Sequence, residues 1–109
     1  MTVNETKNVI QKLIKYSICE LETAESYQEL MSCVEDSSAF SKFKEFANQE
    51  LAHYEYDLST AMAMAQKLKD NGEIADVDEL ISCIYKENEI NWKDKIVWKI
   101  ANTKLKISR

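Results

Sequence analysis

Across 109 residues the chain carries no proline and a single glycine, Gly72. Sheets and tight turns need residues that stop a helix or accept positive φ, so a chain with one such position is confined to long helices joined by short loops. The remaining composition agrees, because Ala, Leu, Glu and Lys, all good helix formers, are abundant. An all-α fold is the prediction. With 45% hydrophobic residues there is apolar material for one modest core, so residues 1–109 are read as a single domain.

Periodicity divides the chain further. Ile10, Leu13, Ser17, Ala24, Tyr27, Met31 and Val34 recur at helical spacing and predict a first helix over about 5–35. "EDSSAF" interrupts it, with Ser37 or Ser38 as the expected N-cap of the next helix. Phe40, Phe43, Ala47, Tyr54, Leu58, Ala61, Ala65 and Leu68 carry the same period to "KDNGE", where Gly72 should end the second helix. Two long helices across a short loop make an antiparallel hairpin over 5–70. A C-terminal extension over 76–109 follows, with one helix in "ADVDELISCIYKENE", capped by Asp76 or Asp78, and a basic one in "NWKDKIVWKIANTKLKI". In the latter, Trp92, Ile96, Val97, Ile100 and Ala101 lie opposite Lys93, Lys95, Lys99 and Lys104, a pattern read as a core or oligomer-contact helix in preference to a membrane-surface one.

Charge is unevenly spread. Residues 1–90 hold 8 basic and 18 acidic side chains, and residues 91–109 hold 6 basic and 1 acidic. An acidic body with a basic tail suits cations and is no nucleic-acid footprint. No run of 18 apolar residues occurs, and "MTVNETKNVI" lacks the basic and apolar regions of a signal peptide, so a cytoplasmic location away from the membrane is expected. Cys19, Cys33 and Cys83 form no CxxC pair, and their odd number speaks for reduced thiols.

Two carboxylates break the apolar stripes. Glu20 lies three residues after Ser17 and four before Ala24, and Glu50 lies three after Ala47 and four before Tyr54. Each long helix therefore aims a carboxylate at the shared seam, where an unpaired charge costs several kcal/mol or takes up a proton. The chain's one histidine, His53, stands three residues after Glu50, about 60° around the helix and roughly one turn along the same face. Glu-x-x-His is the ligand pair of carboxylate-bridged di-iron bundles, and carboxylate with imidazole suits Fe(II) and related divalent ions. Four residues match by chance in many helices; what adds weight is Glu20, thirty positions upstream on the core face, with Tyr27 seven residues after it. One chain offers half a di-iron ligand set, and a homodimer about a two-fold axis would complete it and a four-helix bundle together. Glu25 is placed on the outer face.

"ELETAESY" (Glu20 to Tyr27) together with "ELAH" (Glu50 to His53) resembles the encapsulated ferritins, compact two-helix relatives of ferritin and rubrerythrin, over about residues 5–70. The resemblance implies a ferritin-like hairpin whose Glu20, Glu50 and His53 ligate a di-iron ferroxidase centre formed between two subunits. It implies that Tyr27 stands beside the metals and that Glu22 lines the route by which metal reaches them. The family's pattern has another acid before the first ligand and a Trp before the tyrosine, where this chain has Cys19 and Ser26, so metal access is expected to differ. Cargo members end in a docking peptide of Gly-Ser-Leu character for an encapsulin shell, and "ANTKLKISR" does not have that character.

The expected function is therefore oxidation of Fe(II) to Fe(III) by O2 or peroxide, for iron storage or detoxification, in a homodimer or a higher homo-oligomer such as a ring, in the cytoplasm or inside an encapsulin nanocompartment. Glu20, Glu50 and His53 would be both metal ligands and catalytic residues. Two other readings stay open: a rubrerythrin-like di-iron protein that handles peroxide, and a helical dimerisation module that binds no metal. Tyr16, Tyr54 and Tyr56 are read as packing residues, as are Met62 and Met64, which two residues apart do not share a helix face.

Overall fold

The computed structural model describes residues 1–87 and 92–108, with side chains at 1–87 and 99–108. It contains four helices, α1 (Val3–Cys33), α2 (Ser37–Asp70), α3 (Val77–Glu87) and α4 (Trp92–Ile107), and no strand among the described residues. Positions 88 and 89 of the third expected helix, position 91 of the fourth, and the side chains of Trp92, Lys93, Lys95, Ile96 and Val97 lie outside the described residues.

Local chemistry sets the helix ends. Thr2 caps α1: its hydroxyl accepts from the Glu5 amide at 3.1 Å and the Glu5 carboxylate accepts from the Thr2 amide at 3.3 Å, a reciprocal capping box that satisfies two otherwise orphaned donors. The cap of α2 is Asp36, whose carboxylate accepts from Ser38 N at 2.9 Å, so neither Ser37 nor Ser38 caps that helix as expected. A carboxylate one position earlier reaches the second helical amide and also complements the helix dipole. At the other end, Gly72 with φ +73° donates to the Lys69 carbonyl while Glu73 N donates to Leu68 O, both at 2.9 Å. This Schellman arrangement ends α2 where the sequence placed its stop. Of the two candidates for α3, Asp76 is the cap, its carboxylate accepting from Asp78 N at 3.2 Å.

Tyr27, near the end of α1, meets Phe43 and Phe46 near the start of α2, while Glu20 in mid-α1 meets His53 in mid-α2. The two long helices therefore run antiparallel. Their seam is built from Ile10, Ile14, Leu21 and Ala24 against Ala47, Leu51, Tyr54, Ala61, Ala65 and Leu68. Fully buried alanines on both helices let the backbones approach closely. Buried Ser17 is accommodated because its hydroxyl donates to the Ile14 carbonyl at 2.7 Å.

Helices α3 and α4 cover one side of the hairpin. Val77, Ile81, Ile84 and Tyr85 of α3 and Thr103 and Ile107 of α4 are buried there. Lys99 of α4 pairs with Glu25 of α1 at 3.9 Å, and Lys104 of α4 pairs with Glu55 of α2 at 2.6 Å. This placement corrects three expectations. Glu25 is not on an outer face but half-buried beneath α4. Ala101, assigned to the apolar face of the tail, is exposed. The buried stripes are also rotated, taking in Ile14, Leu21 and Leu51 and leaving Leu13, Tyr27, Phe43 and Leu58 half-buried, because covering helices lie on one flank and none of the described helices lies on the other.

Candidate metal centre

Glu25 and Glu55 each follow a candidate ligand, Glu20 and Glu50, by five residues, which is about 140° around a helix. The ligands thus emerge on the side of the hairpin that α4 leaves open. There the side chains are 18% exposed for Glu20, 28% for Glu50 and 63% for His53. Sequence separation of thirty residues is erased by the antiparallel register. His53 Nδ1 stands 3.8 Å from Glu20 Oε2 and 3.9 Å from Glu50 Oε1, and one donor atom from each of the three residues lies within 4.8 Å of the others. Donors about 2.0–2.2 Å from a common ion are roughly 3–4.4 Å apart, so the trio needs at most small side-chain adjustments to close on one.

Burial, then contact with Asp57, then the charge of Glu50 push the Glu20 carboxyl from its ordinary 4.5 up to about 8. Its Oε1 is buried with no hydrogen-bond partner, an atom that a cation would satisfy. Two carboxylates and an imidazole are a donor set that fits Fe(II), Mn(II) or Zn(II). The three donors come from one chain and leave coordination positions to be filled from outside it.

Asp57 was missed by the sequence reading. It follows His53 by four residues and Glu50 by seven, the same helical stripe, and that spacing is the signal that could have found it. Other expected participants are not gathered at the trio. Tyr27 is two turns from Glu20 and its ring packs on Phe46 at 5.4 Å and Phe43 at 6.3 Å. Glu22 is exposed and about 200° around α1 from Glu20, and Cys19 is exposed as well. Tyr54 is buried in the seam, where burial first and then the neighbouring Tyr85 raise its hydroxyl pKa. Tyr16 and Tyr56, read from the sequence as packing residues like Tyr54, are instead exposed.

Compared with family models, with curated proteins and with solved structures, the chain matches none. What can be said of the class rests on the helices and on the trio. No described helix is long and apolar enough to cross a membrane.

Proposed function

We propose that the protein is a ferritin-like ferroxidase in which two copies pair through the open sides of their hairpins and bind Fe(II) as substrate. The observation that carries the reading is the convergence of Glu20 with Glu50 and His53, thirty residues and more away in sequence, at one patch where both carboxylates are partly buried and the imidazole is exposed. Bound there, Fe(II) gives up one electron to O2 or peroxide and becomes Fe(III). Glu20, nearest the seam, supplies a carboxylate able to bridge two ions, and Glu50 and His53 complete each side. Opposed trios from two chains provide four carboxylates and two imidazoles, the full complement of a carboxylate-bridged site. Around the trio the open side carries Leu13, Tyr16, Leu30, Phe46 and Met64, half-buried or exposed, which a second copy would cover.

The test is anaerobic loading with Fe(II), exposure to air, and near-ultraviolet absorbance of the Fe(III) formed. Glu20→Ala and His53→Ala should each slow oxidation at least roughly tenfold with circular dichroism unchanged, since the scaffold is held by the apolar seam and only the ligand set is broken. A His53→Ala rate equal to wild type would leave the metal-free dimerisation module as the better account.

A further inference from the structure

On the flank that α4 covers, Glu25, Gln28 and Glu29 form one stripe of α1, and Lys99, Thr103 and Lys106 form one stripe of α4; between them lies a cavity of about 170 Å³. Every side chain in its wall is polar or charged. Thr103 is only 2% exposed, and among the described residues its hydroxyl has no hydrogen-bond partner. Glu25 Oε1 is buried and accepts no hydrogen bond either, because the Lys99 ammonium stands 3.9 Å from it, too far for one. Glu29 and Lys106 carry opposite charges on the same wall, yet among the described residues neither makes an ion pair, so they are too far apart to neutralise each other.

We propose that this cavity binds a small zwitterion of the amino-acid type, its ammonium received by Glu25 and Glu29, its carboxylate by Lys106, and its polar atoms between them by Thr103 and Gln28. The charges of the wall choose the class. An anion would be repelled by Glu25 and Glu29, a cation by Lys99 and Lys106, and an uncharged molecule would leave Glu29 and Lys106 unmatched, whereas a zwitterion gives each a charge-assisted hydrogen bond. Size limits the ligand as well, since drug-sized molecules need pockets of roughly 300 Å³ or more, so a short carbon chain is what fits. The site lies on the flank away from Glu20, Glu50 and His53 and does not depend on the metal-binding reading.

The test is titration of the isotope-labelled full chain with L-alanine and with γ-aminobutyrate, zwitterions whose charges are close together and far apart, followed by the NMR shifts of backbone amides. At least one of the two should saturate, with half-saturation below about 10 mM, and should move amides of residues 25–29 and 99–106. Acetate and ethylammonium, each with one of the two charges, should not saturate at the same concentrations. Glu29→Gln and Lys106→Gln, at exposed positions where the fold is kept, should each raise the half-saturating concentration at least roughly tenfold. No saturable shift with either zwitterion, saturation by acetate or ethylammonium alone, or variants that bind like wild type would each overturn the site. Glu20→Ala should bind the zwitterion like wild type, so the fate of this site and that of the ferroxidase reading are read separately.

Discussion

At the scale of single residues, Glu20 carries a pH dependence whose sign can be worked out. Its carboxyl is held near 8 in the folded chain against 4.5 when unperturbed, so between those values the folded state retains a proton that the unfolded state has released. Metal-free stability should consequently be greatest below about pH 4.5 as far as this group is concerned, and should fall as pH rises toward 8. Glu20→Gln removes the titration and should flatten that part of the curve. Bound metal reverses the trend, because its ligands must lose their protons to coordinate, and the loaded protein should gain stability over the same interval. Thermal melts of apo, Co(II)-loaded and Glu20→Gln protein across pH 5–8 check this; parallel apo and loaded curves would mean that Glu20 is not a ligand. Burial, then contact with Asp57, then the charge of Glu50 raise the Glu20 pKa within one chain.

At the scale of elements, the hairpin and its stops are local events, and Gly72 is the sharpest of them. Nothing lies within 4 Å of where a Cβ would stand at Gly72, so Gly72→Ala meets no steric obstacle and its cost is purely the left-handed backbone at φ +73°. That cost is about 1 kcal/mol, read as a fall in melting temperature of roughly 4 °C. A loss several times larger would indicate that the turn also orders α3. The docking of α4 is a different kind of event. Its lysines meet Glu25 and Glu55, half-exposed pairs each worth less than about 1 kcal/mol, while among its described side chains the buried Ile107 and half-buried Ile100 pack against the core. Glu25→Ala is therefore no neutral control for the metal site, since it loosens the helix covering the other side.

At the scale of the whole molecule, the long hairpin sets the shape. A compact chain of this length has a radius of gyration of about 13 Å. The observed value is 16.1 Å, with extents of 54 × 25 × 19 Å, because α1 and α2, at 31 and 34 residues, set the length of the molecule. On the proposed pairing through the open side, two copies should associate more firmly when ions cancel the repulsion between opposed carboxylates. Light scattering should give at least twice the chain mass with Co(II) and a smaller mass with chelator. An identical mass under both conditions would count against ligands shared between copies.

What the sequence by itself determined are the features that depend on neighbours a few residues apart. The absence of proline and the single glycine dictated long helices, helical period put Glu50 and His53 on one face of α2, and Gly72 marked the end of that helix. The Thr2–Glu5 capping box and Asp57 were equally legible at spacings of three, four and seven, and were overlooked because neither belongs to the Glu-x-x-His pattern. Only the tertiary structure decided which flank of the hairpin is covered. That choice depends on the path of the chain after Gly72 and on packing between residues far apart in sequence. It turned Glu25 inward under α4, drew Ile14, Leu21 and Leu51 into the core, and left Glu20, Glu50 and His53 at an open edge. A helix periodicity specifies an angle around one axis, whereas burial depends on what stands opposite that angle, and no local spacing encodes it.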